Sequence, residues 1–194
     1  MGTLITGGML MIVILILLVL GILYAIVQYN RLIRMRNQID EGWAQIDVQL
    51  RRRFDLIPNL VETVKGYASH ERETLEKVTQ ARAAVANAGS GVANQAEAQN
   101  MLTGALKSLF AVAEAYPDLK ANQNFLALQE ELAGTEGKIA YARQYYNDSV
   151  MQFNALQQTF PTNIIAGMFG FKEKEYFRIE EAAAREPVKV SFTK

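Results

Sequence analysis

The sequence predicts an all-α protein: a single N-terminal transmembrane helix that continues into an antiparallel helical bundle of long, coiled-coil-like helices. Three observations carry this reading. Residues 9–27, MLMIVILILLVLGILYAIV, contain neither a charge nor a proline. Beyond them, apolar residues recur mostly at steps of three and four, the helical period. From Phe125 to Phe160 those steps alternate without a miss, which is the 3.5-residue repeat of bundle or coiled-coil packing.

The anchor comes first. At ~1.5 Å per residue the apolar run spans ~28 Å, close to the hydrocarbon thickness of a bilayer. Residues 1–8 hold no Lys or Arg, whereas Arg31, Arg34 and Arg36 follow the run closely. The positive-inside bias then predicts a single pass through a cell membrane, N-terminus outside and C-terminal domain cytoplasmic. A cleaved signal peptide fits less well: the run is too long, its leading residues lack a cation, and no Ala-x-Ala-like site follows. The three arginines are expected at the membrane surface, each contributing roughly 1 kcal/mol with anionic lipid.

Past the anchor, Tyr29, Leu32, Ile39, Trp43, Ile46, Leu50, Phe54 and Ile57 form one stripe, interrupted by Arg36. The first helix therefore continues out of the membrane, and Pro58 is expected to stop or restart it, with Asp55 placed to cap free amides. A second stripe runs Val61, Val64, Ala68, Leu75, Val78 and Val85, with Gly66 a point for a bend. Residues 88–94, AGSGVAN, read as a flexible surface loop. The third helix carries Ala98, Leu102, Ala105, Leu109, Val112 and Tyr116, and Pro117 with Asp118 makes the next turn. The fourth seam is Phe125, Leu128, Leu132, Thr135, Ile139, Ala142, Tyr146, Ser149, Phe153, Leu156 and Phe160, ended by Pro161. Trp43 and Phe153 are the large side chains expected inside.

After Pro161 the chain changes character. TNIIAGMFGF is short, apolar and broken by glycine, EYFRIEEAAARE reads as a short helix, and Val188, Val190 and Phe192 alternate like a strand or docking tail. The expected organisation is thus an N-terminal tail and anchor over residues 1–28, a bundle over 29–160, and a C-terminal apolar segment, short helix and tail over 161–194. Because the fourth helix outreaches the first, its end should return to the membrane. That places Ile164, Ile165, Met168, Phe169 and Phe171 at the headgroup zone or against a neighbouring protomer's base; capping their own bundle is the alternative.

Little in the composition points to chemistry. The 194 residues carry no net charge, so no basic field would hold nucleic acid. Cysteine is absent, which removes disulfides, thiolate catalysis and most structural zinc sites. His70, the single histidine, lacks a nucleophile or metal partners at ligand spacing. Glu130-Glu131 and Glu180-Glu181 do not build a calcium loop, and Gly89, Gly91 and Gly104 do not build a phosphate loop. No catalytic residue, metal or cofactor is predicted. Arg51, Arg52 and Arg53 spread around the helix rather than forming one surface, and ion pairs inside the bundle or between protomers are their better reading. Thr135, Ser149, Asn122, Asn124, Asn147 and Asn154 lie on or beside the fourth seam, where buried polar groups need partners and can fix register. Gly134 and Gly137 each cost a helix ~1 kcal/mol, so they are expected to admit a close backbone neighbour.

Taken together these residues resemble the LemA family of bacterial membrane proteins. The likeness covers nearly the whole chain: WAQIDVQLRRRFDLIPNLVETVKGYA over residues 43–68, YPDLKAN over 116–122 and NFLALQEEL over 124–132. It continues through Gly134-Thr135-Glu136, IAYAR over 139–143, Tyr146-Asn147, Phe153-Asn154, Phe160-Pro161 and Gly170-Phe171. Gly137 departs from the polar residue expected after Gly-Thr-Glu. The resemblance implies a membrane helix followed by a helical bundle and no established enzymatic activity. A magnetosome-membrane biogenesis protein resembles the same family. The expectation is a non-enzymatic, membrane-anchored scaffold that binds the lipid bilayer, self-associates as a homo-oligomer, and organises or shapes the membrane. The alternative is a membrane-tethered adaptor or signalling subunit that presents the bundle to a protein partner yet to be identified. An enzyme with a site assembled between protomers is a third and weaker reading.

Overall fold

A computed structural model describes residues 2–89 and 91–178, and the side chains from Gly8 onward. Among these residues there are six helices and no strand: α1 (Gly2–Tyr67), α2 (Arg72–Asn87), α3 (Val92–Ala113), α4 (Pro117–Lys120), α5 (Gln123–Gln158) and α6 (Thr162–Met168). The chain forms two compact units. The first takes the residues up to Gln45 together with Gln144–Lys174; the second takes Ile46–Arg143 and the described residues from Glu175 on.

The second unit is a helical bundle with a core cluster drawn from five helices. Ile57, Leu60 and Val64 of α1 meet Leu75 and Val78 of α2, Leu102 and Leu109 of α3, Leu119 of α4, and Phe125 and Leu132 of α5. Contacts fall in opposite order along α1 and α5: Tyr67 bonds Asn122, while Arg53 bonds Glu136. The pairing is therefore antiparallel. Its tight turns are local. Asn122 Oδ1 accepts from the Phe125 amide (3.0 Å), and Gly89 turns the chain after α2 with φ near +68°, a conformation that suits glycine.

Pro58 neither stops nor restarts the helix, contrary to expectation; α1 runs through it to Tyr67. A proline inside a helix removes the bond to the carbonyl four residues back and costs about 3 kcal/mol. Two things offset this. Ile57, Leu60 and Val64 are buried to 1 % exposure or less, and each buried apolar side chain contributes about 1.5–3 kcal/mol, so losing the helical register would cost more than the proline does. The carbonyl left free is that of Phe54, and Arg82 Nε of α2 donates to it at 3.3 Å while its guanidinium lies 3.9 Å from the centre of the Phe54 ring. The helix break falls instead at residues 68–71, between α1 and α2. The loop expected over 88–94 is also shorter, because α3 starts at Val92.

The α5 seam is buried as its period requires, from Phe125 to Leu156, with Leu128 half-buried. Phe160 is the exception. It lies past the last helical residue, Gln158, and is 75 % exposed. Thr135 and Ser149 are buried but donate to carbonyls of their own helix, Glu131 and Tyr145, so they do not set register between helices. Gly134 and Gly137 are exposed, and an added Cβ would meet nothing, so the close approach expected there is absent. Over residues 171–178 the chain has no helix, which corrects the start of the expected EYFRIEEAAARE helix; Phe177 is instead buried within the second unit. The remainder of that segment and Val188, Val190 and Phe192 lie outside the described residues.

Candidate membrane-proximal site

The first unit brings the end of the apolar run together with the segment after α5. One helix in the described residues is long and apolar enough to cross a membrane, and its apolar part is exposed throughout: Met9 to Val27 present their side chains outward. Immediately beyond, Leu32 and Ile39 are fully covered, so α1 changes from an unpacked to a packed helix over about one turn. Gly42 lies tight against α5. A Cβ there would stand 3.3 Å from the Tyr146 Cα and 3.2 Å from the Tyr145 ring. Trp43 packs beside it, its ring 5.8 Å from that of Tyr146, but stays half-buried rather than enclosed. Phe153, by contrast, is 1 % exposed.

After α5 the chain turns through Pro161 into α6 and returns along 169–174. Asn154 holds the returning strand-like segment: its Nδ2 donates to the Lys174 carbonyl and its Oδ1 accepts from the Lys174 amide, both at 2.9 Å. This satisfies a buried amide completely on that edge. Gly170 adopts φ near +68°, which lets Phe171 turn inward. The Phe171 ring then sits 6.2 Å from Phe153 and 5.9 Å from Tyr29, with the Arg36 guanidinium 6.0 Å from its centre. Phe169 lies against Tyr29 with ring centroids 4.7 Å apart.

The predicted site residues therefore divide. Arg31, Arg34 and Arg36 are all exposed. Ile164, Met168 and Phe169 are exposed at 53 %, 76 % and 59 %, Phe171 is half-buried, and Ile165 faces inward at 7 %. Within this small group, Ile165 and Phe171 hold the segment to its own unit while the other three remain uncovered.

A second polar feature lies in the bundle unit. Arg53 is 2 % exposed; its Nη1 donates to Thr103 Oγ1 (3.1 Å) and Glu136 Oε1 (2.6 Å), and its Nη2 to Gln99 Oε1. Its Nε has no hydrogen-bond partner. Arg52 binds Glu131 through Nε and Nη2 at the surface, and Arg51 lies 3.6 Å from Asp47. The arginine triplet is thus spent on ion pairs, each with a different partner. Gln99 and Thr103 could not be identified from sequence, since nothing marks which polar residues of α3 face α1. Near the turns, Tyr116 donates to Glu71 Oε1 (3.0 Å), which raises its phenol above the ordinary tyrosine range. Exposed His70 lies in the 68–71 turn. Among the described residues no three His, Cys, Asp or Glu side chains cluster as metal ligands would. The depression around Asp47, Val48, Arg51, Arg52, Asp55 and Leu56 is formed by α1 alone.

The chain is similar to Protein LemA of Metamycoplasma hominis, 28 % identical over 167 residues that cover 85 % of this chain and 76 % of the relative. It is also similar to Magnetosome protein MamQ 2 of Paramagnetospirillum magneticum and Magnetosome protein MamQ of Magnetospirillum gryphiswaldense. These are 26 % and 25 % identical over 188 residues, covering 84 % of this chain and 69 % of each relative. None of these names denotes a reaction. The LemA family model matches residues 42–192, from the Gly42 contact through the Arg53 pairs and the whole of α5 and α6 to the C-terminal segment, and the chain belongs to the LemA family.

Proposed function

We propose that this protein is a non-enzymatic, membrane-anchored scaffold that self-associates and organises the membrane around it. The observation that carries the reading is the continuity of α1. One helix holds both the uncovered apolar run and, without a break, the covered Leu32 and Ile39. A flexible linker would let an anchored domain tumble, whereas a continuous helix fixes the packed first unit against the bilayer normal. Such a coupling serves assemblies in which orientation matters. The magnetosome relatives support the reading by analogy. In this proposal the anchor crosses a bacterial inner membrane and the packed residues are cytoplasmic.

The full-length protein in mild detergent, and again in lipid nanodiscs, should show by light scattering a mass several times that of one chain. A chain that remains monomeric at all concentrations would remove self-association from the proposal. If that monomer also bound a single protein partner, the adaptor reading would replace it.

A further inference from the structure

We infer that the corner formed by Phe160, Ile164, Met168 and Phe169 is a second membrane contact, seated in the interfacial zone of the same bilayer that α1 crosses. The inference deepens the proposal above and rests on its reading of α1 as a membrane span. Its basis is a match of level. The Gly42 contact with Tyr145 and Tyr146 sets α1 beside α5, and Phe171, which meets both Tyr29 and Phe153, brings the later part of α5 toward the earlier part of α1, so the two run in opposite directions within the first unit. Followed at about 1.5 Å per residue, the last residue of α5 comes level with Arg31 to within about a turn. Phe160 and α6 come after it. The Tyr29–Phe169 ring contact, 4.7 Å, ties this segment to a residue two positions beyond Val27, where the apolar run ends.

Composition agrees with the level. From Ser149 through Phe171 the chain carries no charged residue, so nothing in the corner resists desolvation by charge. Four large apolar side chains are nevertheless uncovered, from 53 % to 76 % exposed. Cations follow on the side away from the apolar run: Arg31, Arg34 and Arg36 come later along α1, and Lys172 and Lys174, with Glu173 between them, lie on the returning segment whose backbone bonds Gln157 and Asn154, earlier on α5. An apolar wedge rimmed by cations is the arrangement that fits the boundary between acyl chains and anionic headgroups. The aromatic rings of Tyr29 and Phe169 suit the same zone.

The chain has no cysteine, so a single spin label can be introduced cleanly. Met168→Cys would carry the label in the full chain, reconstituted in vesicles of equal parts phosphatidylcholine and phosphatidylglycerol. Leu17→Cys in the apolar run and Ala111→Cys on the exposed face of α3 serve as references. The expected result is an oxygen-over-nickel-chelate accessibility ratio at Met168→Cys several-fold above that at Ala111→Cys and below that at Leu17→Cys. A ratio equal to Ala111→Cys, with Leu17→Cys in hydrocarbon, would overturn the inference and leave the anchor intact. Leu17→Cys in water would instead sink the anchor reading and this inference with it. Protection from both reagents, with spin–spin broadening relieved by unlabelled protein, would assign the corner to a second copy of the chain and also overturn the inference.

Discussion

Arg53 shows how a buried charge is held in the bundle unit, and what its loss would do. Three of its contacts are to side chains of α3 and α5, so the guanidinium ties α1 to both. Removing it as Arg53→Ala leaves Glu136, which is 41 % exposed and can regain water, but also Gln99, which is 2 % exposed and cannot. The full cost of orphaning a buried charge, about 3–5 kcal/mol, therefore does not apply. The loss expected in urea unfolding is about 2–3 kcal/mol, the penalty of an unpaired buried polar group plus lost packing. An unchanged midpoint would mean that the three contacts contribute nothing net. Glycines separate in the same way. Gly134→Ala and Gly137→Ala meet open space in a helix and should each stabilise by up to about 1 kcal/mol. Gly42→Ala must displace backbone at 3.3 Å and should lower the thermal midpoint instead. Tyr116 offers a pH test. Its phenol is raised by the hydrogen bond to Glu71, with burial and the carboxylate's charge adding to it. The stabilisation is thus fully present below the ordinary tyrosine pKa and lost as pH rises through the folded value. Ultraviolet titration of Glu71→Ala should differ from that of the native chain by one tyrosine ionising earlier; superimposable curves would show that the Glu71 bond does not act on Tyr116.

Among the elements, α5 was legible and the α1–α2 boundary was not, for a physical reason. The seam from Phe125 to Leu156 repeats often enough that one irregular residue cannot disguise its period, and the seam ends where Gln158 ends the helix. Pro58 is a purely local signal. The group that offsets it, Arg82, lies on another helix, so no local rule could foresee that the helix would continue. The true break at 68–71 has no Gly-Pro pair to announce it. A double-mutant cycle tests the explanation. Arg82→Met should cost about 1–2 kcal/mol in the native background, from the Phe54 carbonyl bond and the ring contact. In Pro58→Ala, the alanine amide can bond Phe54 itself, so the Arg82→Met cost should fall by about 1 kcal/mol. Equal costs in both backgrounds would show that Arg82 does not serve the carbonyl. The apolar segment after Pro161 was legible as uncovered surface, but not which of its side chains turn inward. That division depends on the Gly170 turn and on Asn154 holding Lys174, neither of which is a periodic feature.

For the whole molecule, the decisive quantity is the side of the membrane on which the bundle unit lies. The charge pattern around the apolar run settles on one expectation. Residues 1–8 carry no Lys or Arg, and Arg31, Arg34 and Arg36 stand exposed at the other end. Retention of cations on the cytoplasmic side is the dominant orienting force for short flanks. Residues 88–91, between α2 and α3, offer protease a short connection that includes exposed Gly89 and Gly91. Protease added to intact spheroplasts should therefore leave the chain whole, and the same protease added after lysis should cut it there. The two fragments from such a cut differ enough in size to be resolved by mass. Cleavage in intact spheroplasts, with a cytoplasmic marker still protected, would place the bundle outside. The arginines would then face the opposite leaflet, and the proposed scaffold would have to act on the membrane from its outer surface.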